Sequence, residues 1–422
     1  MTKTSDYIKS ESQKDPAFKE AVENVNQTLN QGLDPKKAKR KLASIQTIAD
    51  ITPIPKADKI VTARVMGWDV VVAKNEFKVG DKVVFFEIDS FLPVEDKYAF
   101  IGDVRNNPIA EITGGRVKGY RVHTIKLRNQ ISQGLILGLS DFNENFADLP
   151  VGTDVTETLQ VEKFDRPEVE GSLGTLSGGF PTHIVSQTDE LRMQSGNSNF
   201  EKLYGQTFYT ALKYDGTSLT ITKDNGQLNI ATRNNTLKAG STAHKLFQKS
   251  DTWEKLQAYP DDFAIQGELY GPGIQLNHVG VQELRFAMFN FVQHHERKSL
   301  LEMISFATEN HLELADINLI VSDKKQLDKI KETLALYNKD RQSLTNQTAK
   351  LPYGKALMPQ PKLELGQFTW TVDEAVEIST KLKYNQNQKP AEGMVVRNIT
   401  PTRGNEISFK VLNNKYLLKN DD

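Results

Sequence analysis

The sequence predicts an α+β protein, a small β-barrel followed by a larger region in which sheets carry helices on their outside. Three observations lead there. Between residue 42 and about residue 160, short runs rich in Val, Ile, Phe or Thr alternate with polar turns. A Glu-, Gly- and Ser-rich stretch at 163–179 then interrupts the pattern. Beyond it, strand-type runs share the chain with segments of helical periodicity. At 422 residues there is room for two or three domains with cores of their own.

Taken in order, residues 1–38 are polar and helix-prone. Phe18, Val22 and Val25 recur at helical steps, so one short amphipathic helix is expected. Lys36, Lys37, Lys39, Arg40 and Lys41 form the densest basic cluster, a phosphate contact, a nuclear import signal or a solvated entry into the first strand. Strands are expected at 60–65, 69–73, 82–88, 121–127 and 134–137 within a barrel domain spanning 39–162. Composition alone does not separate an OB fold from an SH3-like barrel. Tyr120, Arg121, His123, Lys126 and Arg128 are candidates for a nucleic-acid face. Strand alternation sets Arg121 with His123 on one side and Lys126 with Arg128 on the other. The 163–179 stretch reads as a flexible linker.

In the region 180–422, strands are expected at 209–213 and 218–222, with a hairpin turn at Asp224-Asn225-Gly226. Further strands are expected at 263–268 and 284–291. Residues 296–346 turn helical, with Leu300, Leu301 and Ile304, then Leu327, Ile330 and Leu334, at helical spacing. A second helical segment runs from about Thr371 to Lys383, where Thr371 and Glu374 have the spacing of a capping box. Strands resume at 393–397 and 406–411.

Composition narrows the function. A formal charge of −1 does not suit a protein that coats nucleic acid nonspecifically, although local patches suffice for a short contact. The absence of cysteine excludes disulfides, thiolate zinc sites and cysteine nucleophiles. No apolar run is long enough to span a membrane and the N-terminus lacks the core of a signal peptide, so a cytoplasmic or other intracellular protein is expected. His294 and His295 are adjacent, so on a strand they would point apart and not bind one ion.

The chemistry-bearing residues lie in the second half. Lys213-Tyr214-Asp215-Gly216 is followed by Gly267-Glu268-Leu269-Tyr270-Gly271-Pro272-Gly273, Phe286-Ala287-Met288-Phe289-Asn290-Phe291, Glu392-Gly393-Met394-Val395-Val396-Arg397 and Ser408-Phe409-Lys410-Val411-Leu412. Any one is weak by itself. Lys213 reads equally as a surface lysine at a turn, Glu268 and Glu392 as turn carboxylates, and Phe289 as a core residue. Together, in this order, they resemble the covalent nucleotidyltransferase superfamily of DNA ligases, RNA ligases and capping enzymes. Arg233-Asn234, about twenty residues after Lys213, and the Glu268 segment favour ATP-dependent RNA ligases. In the first half, Arg40-Lys41-Leu42-Ala43-Ser44-Ile45-Gln46, Ala57-Asp58-Lys59-Ile60, Trp68-Asp69-Val70-Val71-Val72 and Phe85-Phe86-Glu87-Ile88-Asp89-Ser90 resemble the Deinococcus-type RNA ligases, which carry an OB-fold domain before the catalytic domain.

The resemblance implies an enzyme that joins 5′-phosphate and 3′-hydroxyl ends through a lysyl-AMP intermediate, using ATP with Mg²⁺ or Mn²⁺ and sealing nicks with RNA on the 3′-hydroxyl side. Lys213 would be the nucleophile, its pKa lowered by nearby positive charge from a bound metal or Lys410. Asp215, Glu268 and Glu392 would face the metal, directly or through its waters. Glu268 would also contact the ribose, Phe289 would stack on adenine, and Arg233 and Lys410 would grip phosphate or sugar. The last motif departs from the usual pattern, since Leu412 stands where many ligases carry a second lysine. A nucleic-acid partner and a monomer are expected. A DNA ligase or another nucleotidyltransferase of the superfamily, or a non-catalytic OB protein, is the alternative.

Overall fold

The computed structural model describes residues 40–103, 118–142, 145–164, 173–188, 190–196, 198–346 and 358–420. The expected N-terminal helix, Lys36, Lys37, Lys39 and the middle of the expected linker, 165–172, lie outside the described residues. Residues Lys41–Asp422 form one compact unit.

The barrel region holds a five-stranded antiparallel sheet in the order Trp68–Ala73, Ile60–Val65, Ala43–Pro53, Lys82–Phe86, Leu135–Gly138. The long Ala43–Pro53 strand is central. Its first half pairs with Lys82–Phe86 and its second with Ile60–Val65, and a register shift between Ile48 and Asp50 bends it between the two. One strand thereby serves both halves of a curved sheet, whose concave core is closed by Ile45, Val65, Trp68, Phe85 and Phe86. The expected strand at 121–127 is two separate strands, Tyr120–Arg121 and Thr124–Leu127, in different sheets.

Two larger sheets build the rest. One has seven strands, in the order Leu176–Gly179, Asn235–Leu237, Gln227–Ala231, Thr217–Asp224, Phe263–Tyr270, Arg285–Gln293, Glu296–Arg297. The other has six, in the order Leu191–Arg192, Ser408–Leu412, Gly393–Asn398, Phe208–Lys213, Ile317–Ser322, Lys362–Leu365. The helices Leu300–Glu309 and Lys324–Asn346 contribute Ile304, Ala307, Ile330 and Leu334 to the apolar cluster beneath the first sheet, with Ile221, Ile265 and Phe286.

Local signals are realised where they were expected. Asn225 and Gly226 adopt φ of 49° and 76°, the left-handed pair that a tight hairpin turn requires. Thr371 caps the Val372–Lys381 helix, and the Thr371 N–H donates in return to the Glu374 carboxylate at 2.7 Å. Two expectations change. The end of the expected linker, Leu176–Gly179, is an edge strand paired with Asn235–Leu237. The expected helical stretch 296–346 contains the strand Ile317–Ser322, which pairs with Phe208–Lys213. Its Ile-Asn-Leu-Ile-Val-Ser run is too short to interrupt the helical spacing on either side, and only the neighbouring strand makes it β. Among the described residues no helix is long and apolar enough to cross a membrane.

Candidate active site

Lys213 ends a strand of the six-stranded sheet, and Thr217–Asp224 begins four residues later in the seven-stranded one. The Lys-Tyr-Asp-Gly turn is therefore the crossover between the two sheets. In the six-stranded sheet Phe208, Met394, Val396, Phe409 and Val411 fill an apolar cluster. By register Lys213, Val395, Arg397 and Lys410 lie on the opposite face. Lys213 pairs with Gly393, which sets Glu392 beside it, and Lys213 Nζ lies 2.7 Å from Glu392 Oε1. Two glycines make this approach possible. A Cβ on Gly216 would stand 2.4 Å from the Leu269 carbonyl oxygen and 2.8 Å from Glu268 Cγ. One on Gly393, at φ 154°, would stand 2.2 Å from the Val411 carbonyl oxygen.

The charges around Lys213 are carboxylates. Burial works to lower its pKa, but Glu392, Glu268 and Asp215 outweigh burial and raise it. In the chain alone the groups closest to the ammonium are negative, and Lys410 does not offset them. Burial pushes the Glu268 carboxyl up to about 8, opposed by Lys213 and reinforced by Glu392 and Asp215. Glu392 is raised too, by burial first, with Lys213 acting against it. Asp215, Glu268 and Glu392 are hard oxygen donors of the kind Mg²⁺ and Mn²⁺ take. Among the described residues, however, no three His, Cys, Asp or Glu side chains converge closely enough to enclose a metal. The set fits an ion that keeps several of its waters rather than a closed protein cage.

The other expected residues gather around this centre. Arg233 lies in the turn between Gln227–Ala231 and Asn235–Leu237, where its charge acts on Glu268. Lys410 lies opposite Val395 and acts on Glu392. Phe289 sits at a register shift of the Arg285–Gln293 strand and is half-buried. The Arg397 guanidinium of the opposite sheet stands 5.2 Å from its ring, and Arg397 pairs with Glu190 at 3.0 Å. Leu412 is buried in the barrel core, with Tyr416 and Leu417 of the C-terminal helix Asn414–Asn420.

Three site residues escaped the sequence reading. The Tyr384 hydroxyl accepts from the backbone N–H groups of Asp215 and Glu392, at 3.1 Å each, and donates to the Lys213 carbonyl at 3.5 Å. Its ring stacks on Tyr214, which stacks in turn on Tyr270. His278 Nδ1 lies 2.6 Å from Asp215 Oδ2 and 3.1 Å from the Tyr416 hydroxyl. No local pattern marks Tyr384, His278 or Tyr416, since each acts on residues far away in the chain.

One expected surface is formed only in part. Tyr120 and Arg121 are buried, and Arg121 is paired with Asp89 at 2.8 Å, so neither belongs to a nucleic-acid face. The break between Tyr120–Arg121 and Thr124–Leu127 also undoes the alternation that assigned the faces. Lys126 and Arg128 remain exposed. His294 and His295 are exposed at positive φ in a hairpin turn.

Comparison with known proteins agrees with this geometry. Residues 206–412 match the RNA ligase family and residues 42–139 match an OB-fold domain. The structure resembles an RNA ligase from Naegleria gruberi solved with PPi, at 28% identity and a TM-score of 0.70, covering 91% of this chain and 99% of that one. A lysine-to-alanine mutant of that enzyme with ATP and Mn is similar at 27% identity and a TM-score of 0.71, covering 90% and 99%. A lysine-to-methionine mutant with AMP and Mn is similar at 27% and 0.71, covering 91% and 100%. No curated protein matches the chain.

Proposed function

With an RNA ligase domain on residues 206–412 behind an OB-fold domain on 42–139, we infer that the chain is an ATP-dependent RNA ligase working through Lys213. The observation that carries the assignment is the position of Lys213 at the crossover of the two sheets, 2.7 Å from Glu392 and within the field of Asp215 and Glu268. In the first step Nζ gives up a proton, for which Glu392 is the adjacent acceptor, and attacks the α-phosphorus of ATP. The P–N bond forms and pyrophosphate leaves. In the second, a 5′-phosphate oxygen attacks the same phosphorus and the lysine departs. In the third, a 3′-hydroxyl attacks the activated 5′-phosphate and AMP leaves.

The chain's own residues supply binding and orientation. Lys410 and Arg233 are cations for phosphate or sugar, Glu268 is an acceptor for the ribose, and Phe289 is the ring for adenine. Asp215, Glu268 and Glu392 would hold Mg²⁺ or Mn²⁺ through its waters, and that ion supplies neutralisation of phosphate charge when bound. The OB-fold domain, 39–162, is assigned to the nucleic acid and 180–422 to nucleotidyl transfer, with Leu176–Gly179 joined to the latter by its strand pairing. The nick is read with RNA on its 3′-hydroxyl side, where a 2′-hydroxyl can be sensed. The enzyme acts as a monomer.

Incubation with α-labelled ATP and Mg²⁺ or Mn²⁺ tests this. A covalent adduct on the wild-type chain and none on Lys213→Ala is expected. An adduct that survives in Lys213→Ala removes Lys213 from the reaction.

A further inference from the structure

The short C-terminal helix Asn414–Asn420 touches the active site from one side and the barrel core from the other. At its start, the Asn413 N–H donates to the Glu392 carbonyl at 2.9 Å and the Asn413 side chain donates to the Ala391 carbonyl at 2.9 Å. One turn on, the Tyr416 hydroxyl meets His278 Nδ1 at 3.1 Å, and the same nitrogen lies 2.6 Å from Asp215 Oδ2. The rings of His278 and Tyr416 meet edge to face, 5.7 Å apart. Asn387 Nδ2 donates to the His278 carbonyl at 2.8 Å, which fixes the loop that carries the histidine. Tyr416 is 6% exposed and shares the apolar cluster of Leu412, Leu417, Trp68, Phe85 and Phe86. The His278 Nδ1–H donates to Asp215 Oδ2, and the Tyr416 hydroxyl, also hydrogen-bonded to the Asp215 carboxylate, is a donor there because an ionised carboxylate only accepts.

Resting on the ligase reading above, we propose that Tyr416 and His278 are positioning residues that orient the Asp215 carboxylate toward the divalent cation, with the barrel core holding Tyr416 in place. The physical reason is that a free carboxylate rotates about its last torsion. An oxygen already held by a neighbouring donor leaves the other free in one direction only. Partners behind a metal-facing carboxylate set its affinity for the ion in this way. The barrel thus contributes to nucleotide loading through the seat of one helix, and not only through contact with nucleic acid.

The test compares wild type, Tyr416→Phe, His278→Asn and His278→Ala. Mn²⁺ affinity is read directly, from loss of the free Mn²⁺ signal in electron paramagnetic resonance, and separately from the Mn²⁺ concentration that gives half-maximal adduct with α-labelled ATP. Tyr416→Phe keeps the ring and loses the donor. Both readings are expected to shift about tenfold toward higher Mn²⁺, while the adduct rate at saturating Mn²⁺ stays near wild type. His278→Asn, whose side-chain nitrogen stands in for Nδ1, is expected to retain most of the affinity, and His278→Ala to lose it. Unchanged Mn²⁺ affinity in Tyr416→Phe and His278→Ala overturns the proposal. So does a lowered adduct rate that no Mn²⁺ concentration restores, because that is the mark of a merely structural role. A wild-type chain that forms no adduct sinks the ligase reading instead, and the resonance titration still decides the positioning role.

Discussion

Residues that carry charge at the candidate site stood out by type and order, and those that position them did not. Lys213, Asp215, Glu268 and Glu392 are found by order and type, and the structure places all four in one electrostatic cluster. Tyr384 belongs with them because its hydroxyl takes two backbone N–H groups, those of Asp215 in the turn after one strand and of Glu392 just before another. Tyr384→Phe leaves both donors without that acceptor, a loss of about 1–3 kcal/mol for a buried group, and a lower midpoint in urea is expected alongside slower adduct formation. Wild-type stability in Tyr384→Phe would show that water replaces the hydroxyl. Glu268 gives a pH prediction. Its folded pKa of about 8 lies above the ordinary carboxyl value. Between those two values the folded chain binds more protons than the unfolded one, so stability falls as pH rises through the window. In chelator, Glu268→Gln is expected to gain stability relative to wild type from pH 5 to pH 8. A constant difference across that range refutes the assignment.

Elements with local signals appear where their residues put them. The Asn225-Gly226 turn and the Thr371–Glu374 capping box need only residues within a few positions of each other. The Ile317–Ser322 strand needs Phe208–Lys213 beside it, and Arg121 shows the same limit from the other side. Alternation says which residues share a face, not which face is buried, and here Asp89 draws Arg121 inward. The Ser408–Leu412 strand explains the departure in the last motif. Lys410 and Leu412 lie on one face, but Leu412 is 4% exposed among barrel residues, where an ammonium would have no water. Leu412→Lys restores the two-lysine spacing, yet it is expected to lower the thermal midpoint sharply without speeding sealing, because an unpaired buried charge is costly. Faster sealing at unchanged stability would mean that the strand end opens to solvent.

Across the whole molecule, the barrel and the catalytic sheets share structure. Leu412, Tyr416 and Leu417 complete the barrel core, and Asp89 bridges Arg121 of the barrel to Arg192 of the six-stranded sheet. The Gly67 N–H donates to the Gln194 carbonyl at 2.9 Å, and a Cβ on Gly67 would meet Val372 at 2.8 Å. Separation would expose apolar surface and strand buried charges together, so one calorimetric transition is expected for Lys41–Asp422. Trp68→Ala, deep in the barrel core and beneath the Arg192 guanidinium, is expected to cost about 3–5 kcal/mol and to lower that single transition. Two transitions, only one of them moved by Trp68→Ala, would show independent domains.

By itself the sequence determined the α+β class, the order of barrel and catalytic region, and the local turns and caps. Each of these rests on residue type and on spacing within a few turns or strands. Only the tertiary structure decided that Lys213 stands at the crossover of two sheets and that its neighbours raise rather than lower its pKa. It also decided that Leu412 belongs to the barrel, that Tyr384 takes the N–H groups of Asp215 and Glu392, and that His278 and Tyr416 meet beside the Asp215 carboxylate. Those features depend on burial and on contacts between residues far apart in the chain, and neither is written in any local pattern.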